Sequence, residues 1–438
     1  MHDSPLAVVA ELILLLSIIL VAAKIGGEVS ERYLKIPPVL GELGAGILIS
    51  PFLLGGIHWF GGGAIFELPH GESGGLPVEP QLFFVAQLAA VVLLFEAGLE
   101  TDRNQFKKYV RPATAVAAGG VLLPFAMGFA ATVMFGYASM DSISGMTPAL
   151  FVGAIMTATS VGITARVLAD IRRLDSPEGV TILAGAVVDD VLGIIILAIV
   201  VGISEEGAVT AGSIGVIFLK AVGFWLGLMI IGSLVANHIS KLVLWFKSSG
   251  GALVLALALA FIASAVAEIY FGLAMIIGAY TMGLALSNTE LKHQVEGPMR
   301  SVNNFLVPIF FVVIGMQVDF TAFGAGDTSL SAAIGFATVL TLFAVFSKLA
   351  GSGLPALLVG FNRRGATRVA LGMLPRGEVA LIIAGIGLAA GVIGKDIFGV
   401  AVVMTVVTTI IAPVLLIPAF RGGSGIKADD EDVDRSGE

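Results

Sequence analysis

Two adjacent aspartates, Asp189 and Asp190, stand at the middle of the apolar run ILAGAVVDDVLGIIILAIVVG. Inside hydrocarbon each ionised carboxylate costs about 2.5–3.5 kcal/mol on insertion scales. Two together need a reason. One reading is a pair of hydrogen-bonded structural carboxyls; the other is chemistry. Carboxyl groups removed from water hold their protons more tightly, and a like-charged neighbour strengthens the hold. Such a pair can release protons near neutral pH in coupled steps. The same oxygens suit a hard monovalent cation such as sodium, so Asp190 and Asp189 are candidate transient metal ligands. Holding a proton then disfavours holding the ion. Neighbours on a helix point about 100° apart, which lets one aspartate face an internal partner and the other an ion path.

Three further segments carry polar groups at similar depth. LFAVFSKLAGSGLPALLVG holds Lys348, which either pairs with one aspartate or snorkels to the interface. MTATSVGITARVLAD crowds Thr157, Thr159, Ser160 and Gly162 into one stretch, as ion-site hydroxyls or as ordinary packing through small residues. GMLPRGEVALIIAG contains Pro375, Arg376, Gly377 and Glu378. Proline and glycine there favour a broken helix, which lipid tolerates only around a protein-lined cavity. Arg376 and Glu378 form an ion pair that stabilises the break, or handle the ion directly, or both. Glu11, Glu96, Lys220 and Glu268 lie nearer span ends or stand unpaired, and read as interfacial or structural. His238 and His293 fall in loops.

The elements that position these groups follow from composition. Of 438 residues, 57% are hydrophobic and 13% charged, with a mean hydropathy of +0.99. A water-soluble globule of that composition lacks polar surface to cover itself. The apolar residues come in runs of roughly 18–25, enough to cross a bilayer as helices. The ten-residue alternation of a transmembrane barrel is absent. Cysteine is absent too, which excludes disulfides and thiolate metal sites. Thirteen spans are predicted, near 6–25, 37–56, 81–99, 112–135, 147–168, 179–202, 212–237, 251–270, 272–287, 302–318, 330–358, 367–390 and 397–419. With the N-terminus outside, the loops on the cytoplasmic side hold twenty of the twenty-four Lys and Arg residues, and the opposite loops hold only Lys395. That asymmetry predicts a cytoplasmic C-terminus.

The chain also repeats itself. GAGILIS (Gly44–Ser50) in span 2 is similar to GAYTMGLALS (Gly278–Ser287) in span 9, and FEAGLETD (Phe95–Asp102) in span 3 to VVIGMQVD (Val312–Asp319) in span 10. Each pair is seven spans apart, and an odd offset inverts the second copy. The expectation is an all-α membrane domain over 1–420. Two inverted six-helix repeats, 6–202 and 251–419, flank a linker helix at 212–237, with broken helices fifth in each repeat. The polar stretch 421–438 reads as a disordered tail. Inverted repeats with interrupted helices at matching places mark alternating-access carriers.

The set TATSVGITARVL, VVDDVLG, FSKLAG and PRGEVAL resembles the monovalent cation:proton antiporter superfamily, most of all its electrogenic bacterial sodium/proton antiporters of the NapA type. The resemblance spans the membrane domain. It implies that Asp190 binds the ion and that Asp189 pairs with Lys348. It also implies that Thr159 and Ser160 lie in the unwound part of one crossing helix, and Arg376 and Glu378 in that of the other. It further implies a core domain moving against a dimerisation domain, and a homodimer with spans 1–3 and 8–10 near the interface. Exchange would be electrogenic, of Na+ and also Li+ against H+, in the cell (inner) membrane. A K+/H+ antiporter, or a sodium-coupled symporter of the same architecture, is the alternative. Neither cofactor, enzymatic step nor nucleic acid is expected. An intramembrane aspartyl protease needs converging carboxylates and a GxGD context, and this chain offers neither.

Overall fold

Hydrocarbon supplies no partner for a peptide N–H or C=O, so apolar segments of this length are driven into helix. The computed structural model describes residues 5–34, 36–57, 64–66, 78–206, 211–246, 250–319 and 330–427. Among them there is no strand, and Phe361 and Ile426 form an isolated bridge. The helices run α1 (Pro5–Val29), α2 (Pro38–Leu48), α3 (Pro80–Glu100), α4 (Arg103–Met134), α5 (Ile143–Thr157), α6 (Val161–Asp170), α7 (Pro177–Glu206) and α8 (Ala211–Trp245). They continue with α9 (Gly251–Phe271), α10 (Met275–Leu286), α11 (Glu290–Met316), α12 (Leu330–Leu358), α13 (Arg363–Gly372), α14 (Glu378–Ala389) and α15 (Lys395–Ala419). Ten spans among the described residues are long and apolar enough to cross a membrane. Three shorter apolar helices, Pro38–Leu48, Met275–Leu286 and Val379–Ala389, accompany them.

Local signals set several ends. Asp102 caps α4 by accepting from the N–H groups of Asn104 and Gln105, at 2.6 and 3.0 Å, and Asn362 caps α13 by accepting from that of Gly365 at 2.9 Å. The second expected span, 37–56, is helical only to Leu48, with a short 3-10 turn at Leu54–Gly56. Pro51 accounts for the early stop, because proline cannot continue the hydrogen-bond ladder and disfavours helix at the residue before it.

The helices pack as two groups. One holds α1, α2, α3, α8, α9, α10 and α11, the other α4, α5, α6, α7 and α12 to α15; α6 touches α2 and α3 across the divide, and α7 touches α8. Outward faces are apolar, as on α8, where Leu219, Ile231 and Leu234 are exposed. In the first group, glycines let backbones touch. A Cβ on Gly98 would lie 2.2 Å from the Tyr280 carbonyl oxygen, and one on Gly283 2.2 Å from that of Phe95, so α3 and α10 cross in direct contact. The crossing of α2 and α11 is built alike, with Gly46 at 2.1 Å from the Val312 oxygen and Gly315 at 2.2 Å from that of Leu43. Small residues are the usual means of close helix approach in lipid.

The polar stretch expected to be disordered from Arg421 instead folds back through Lys427; residues 428–438 lie outside the described residues. The Gly425 carbonyl accepts from the Asn362 N–H at 3.0 Å, and the Lys427 N–H donates to the Gly360 carbonyl at 3.2 Å. Arg368 on α13 donates to the carbonyls of Ala419, Gly422 and Gly423 and to the Glu178 carboxylate on α7, the last at 2.6 Å. Gly425 lies so close to Glu178 that a Cβ would meet its Oε1 at 2.0 Å. A strap of backbone thus ties neighbouring ends of α7, α12 and α13 together. Its glycines, read from sequence as disorder, are what permit the approach.

Gly98→Val should destabilise the protein by about 1–3 kcal/mol or more through overpacking, read as a lower melting temperature in detergent. Gly44→Ala, where nothing lies within 4 Å of the added carbon, should melt like the wild type. Equal melting of the two variants would contradict the backbone contact between α3 and α10.

Candidate ion-binding site

Two helices break at the level of the aspartates. α5 ends at Thr157, residues 158–160 are extended, and α6 resumes at Val161. α13 ends at Gly372 and α14 begins at Glu378, with Pro375 between them removing a donor and disfavouring helix at Leu374. The extended pieces meet. The Ser160 N–H donates to the Pro375 carbonyl at 2.7 Å, and a Cβ on Gly377 would lie 2.7 Å from Ser160 Oγ. Only a glycine fits there without a shift.

Each break satisfies the other's carbonyls. At the end of α13, Thr164 Oγ1 donates to the Gly372 carbonyl at 2.7 Å, and Thr159 Oγ1 lies 3.4 Å from that of Met373. The Arg376 carbonyl accepts from Thr409 Oγ1 of α15. At the end of α5, the Arg376 guanidinium donates to the carbonyls of Met156 and Ala158, the latter at 2.9 Å. The remaining carbonyl, Thr157, accepts from Lys348 Nζ at 2.9 Å. Two cations therefore sit on the carbonyl end of α5, where the helix dipole is negative.

Lys348 also donates to Thr159 Oγ1 at 2.7 Å and approaches the Asp189 carboxylate at 3.3 and 3.4 Å. Its shortest contacts are thus to the broken helix, with the aspartate as third partner. Exposure is 0% for Lys348 and Arg376, 2% for Asp189 and 7% for Asp190. Of the adjacent aspartates, Asp189 is the one turned to the lysine. Thr157 Oγ1 donates within its own helix to Ala154 at 2.8 Å, keeping lone pairs free. Ser160 Oγ is buried and has no hydrogen-bond partner among the described residues.

The structure therefore brings Asp189, Lys348, Thr157, Thr159, Ser160 and Arg376 together, with Asp190 beside them on α7. The carbonyls of Met156, Thr157, Ala158, Gly372, Pro375 and Arg376 are all engaged. Arg376 reaches carbonyls of α5; the side chain of Glu378 lies outside the described residues, so the expected pairing of the two is not among the contacts described. Thr164 and Thr409 enter without having been singled out. Thr164 was legible as the fourth residue after Ser160, one turn along the same face. Thr409 sits in an ordinary apolar span and carried no such signal.

A polar cavity of about 560 Å3 runs beside α6, between α3 and α11, lined by Glu96, Glu100, Arg166, Asp170, Arg300 and Asn303 among others. The Asn303 amide donates to Glu96 within it. Glu96 is thus partnered, while Lys220 and Glu268 are exposed on outer helix faces.

The chain has extensive likenesses among known proteins. The profile of the family described as sodium/hydrogen exchanger, transmembrane, matches residues 13–422. The chain is 35% identical to the high-affinity Na+/H+ antiporter NhaS3 of Synechocystis sp., over 97% of this chain and 93% of that protein. It is 33% identical to the Na+/H+-K+ antiporter GerN of Bacillus cereus, over 92% of this chain and 94% of that one. In three dimensions it resembles the sodium proton antiporter MjNhaP1 of Methanocaldococcus jannaschii with a TM-score of 0.63 and 16% identity, covering 94% and 99% of the two chains; that likeness speaks for the fold alone. A profile match over nearly the whole membrane domain, with relatives of matching extent, leads to one conclusion: the chain belongs to the sodium/hydrogen exchanger transmembrane family.

Proposed function

We propose that the protein is a secondary active transporter exchanging Na+, and also Li+, for H+ by alternating access. The observation that carries this reading is the burial of Asp189 and Asp190 at the meeting of two broken helices, with Lys348 shared between Asp189 and the end of α5. The names of the relatives support sodium as the ion. Potassium is the second reading, favoured by the name of one of them.

Asp190 is the ion-binding carboxylate and Asp189 the coupling one. A cation arriving at Asp190 displaces its proton, because both are held by the same oxygens. The ligands offered to the ion are the carboxylates and the hydroxyls of Ser160 and Thr157. Asp189 and Lys348 together hold a proton: when the carboxylate is ionised it favours the charged ammonium, and a change at one is felt by the other. Coupling a second ionisable pair to each turnover lets more protons than cations cross, which makes exchange electrogenic. Arg376 keeps the break in register, and Glu378 lies at the start of α14 beside it. The cavity along α6 is the cytoplasmic approach.

The reading includes thirteen spans with the N-terminus outside, in the cell (inner) membrane, and two inverted repeats over 6–202 and 251–419. The repeats are supported by the glycine crossings. Gly46 and Gly283 hold equivalent places in the aligned segments, as do Gly98 and Gly315, and each crossing joins one member of each pair. The group containing α5, α7, α12 and α13 is the moving core. The group containing α1, α2, α3, α9, α10 and α11 is the dimerisation domain of a homodimer.

Proteoliposomes with an imposed pH gradient, given Na+, Li+ or K+ in turn, test the function. Dequenching of an internal pH dye by Na+ and Li+ is expected, and a response to K+ alone would overturn the sodium assignment. Asp190→Ala should reduce exchange to background, and near-normal flux would remove Asp190 from the ion site. Asp189→Asn should leave partial exchange with a weaker response to membrane voltage; an unchanged response would argue against coupling through Lys348. Lys348→Ala leaves a buried carboxylate without its cation and should cost about 3–5 kcal/mol, seen as a clear drop in detergent melting temperature. Wild-type melting in that variant would mean the pair contributes nothing to the fold.

A further inference from the structure

α15 packs on α13 and α14 and touches α6, three of the four half-helices around the breaks. Its face toward them carries three buried threonines, Thr405, Thr408 and Thr409. Thr408 donates to Met404 and Thr405 carbonyls of its own helix, at 2.9 and 3.1 Å. Thr405 Oγ1 has no partner among the described residues. Thr409 differs from both, because its hydroxyl leaves the helix and donates to the carbonyl of Arg376.

That carbonyl lies in the stretch between α13 and α14, where no helical N–H reaches it, and a buried carbonyl without a donor is unfavourable. Arg376 is consequently held at both ends. Its backbone is fixed by α15, and its guanidinium reaches the carbonyls of Met156 and Ala158 at the end of α5. The residues that follow Ala158 are Thr159, which accepts from Lys348, and Ser160, whose N–H holds Pro375. A chain of hydrogen bonds thus runs from Thr409 through Arg376 to the turn that borders the aspartates.

We infer that Thr409 is a positioning residue for cation exchange: by holding the Arg376 carbonyl it sets the guanidinium on α5, and through it the placement of the Thr159–Ser160 turn against Asp189 and Asp190. It touches neither ion nor proton. The inference rests on the exchange reading of this site.

Thr409→Val keeps the side chain's shape and deletes the donor, whereas Thr409→Ser keeps the donor. Both are made in the full chain, reconstituted in proteoliposomes, and measured for proton flux against Na+ concentration. Thr409→Val should raise the half-saturating Na+ concentration roughly tenfold, about what one net hydrogen bond is worth, with the maximal rate much less affected. Thr409→Ser should follow the wild type, as should Thr405→Val. If Thr409→Val does not yield monodisperse protein, Thr409→Ala is measured in its place with the same expectation. The inference is overturned by an unchanged half-saturating concentration in the donor-less variant. Equal impairment of the serine and valine variants overturns it as well, since that would be an effect of volume. Absence of Na+-dependent flux in the wild type itself removes the exchange reading and this one with it, whereas normal wild-type flux with a silent Thr409→Val removes only this one.

Discussion

A peptide carbonyl released from a helix within a bilayer has no water to bond. Unpaired backbone groups there cost several kcal/mol each, so a helix can open at the midplane only where other parts of the protein supply donors. Here two helices open at one level and serve each other. Thr159, Thr164 and the Ser160 amide meet the end of α13, and Arg376 with Lys348 meets the end of α5. Neither opening would be tolerated alone. The rest of the second helix group, with α4 and α12 behind and α15 alongside, keeps the two in register.

That arrangement also sets the charge balance. Four ionisable groups, Asp189, Asp190, Lys348 and Arg376, share a volume closed to solvent, two of each sign. The cations lie on carbonyls at the negative end of α5 as well as near the carboxylates, so their charge is divided between a helix dipole and an aspartate. Lys348 is held by Thr157, Thr159 and Asp189 at once. It can loosen one contact without becoming unpartnered, and that makes a change of charge at Asp189 tolerable in a closed interior.

Much of this was legible from residue types. Asp189, Asp190, Lys348 and Arg376 stood out because a charge inside an apolar run has few explanations, and the breaks because Pro375, Gly377 and a hydroxyl cluster interrupt otherwise regular spans. What escaped was whatever depends on backbone groups. Carbonyls have no letter in the sequence, so the bonds from Arg376 to Met156 and Ala158 had no signal there. Thr409 was passed over because a threonine inside an apolar helix usually bonds its own preceding turn, as Thr408 does. Gly422, Gly423 and Gly425 were taken for loose tail, since the same residue that frees a chain also lets it lie flush against another. The early end of α2 at Leu48 was hidden by apolar residues that continue past Pro51.

The strap across the ends of α7, α12 and α13 has a mechanical consequence. Residues 421–427 grip α13 through Arg368 and Asn362, lie against Glu178 of α7 at Gly425, and hold the end of α12 through the Leu357 carbonyl, which accepts from Lys427. These are the helices that carry one break, the aspartates and the lysine. A pull exerted on the chain beyond Lys427, by a fused domain or a surface tether, would be transmitted first to those three helices and not to the group of α1, α2, α3 and α8 to α11. The strap is therefore a handle on the helices that hold the buried charges, and an attachment made beyond it loads them first.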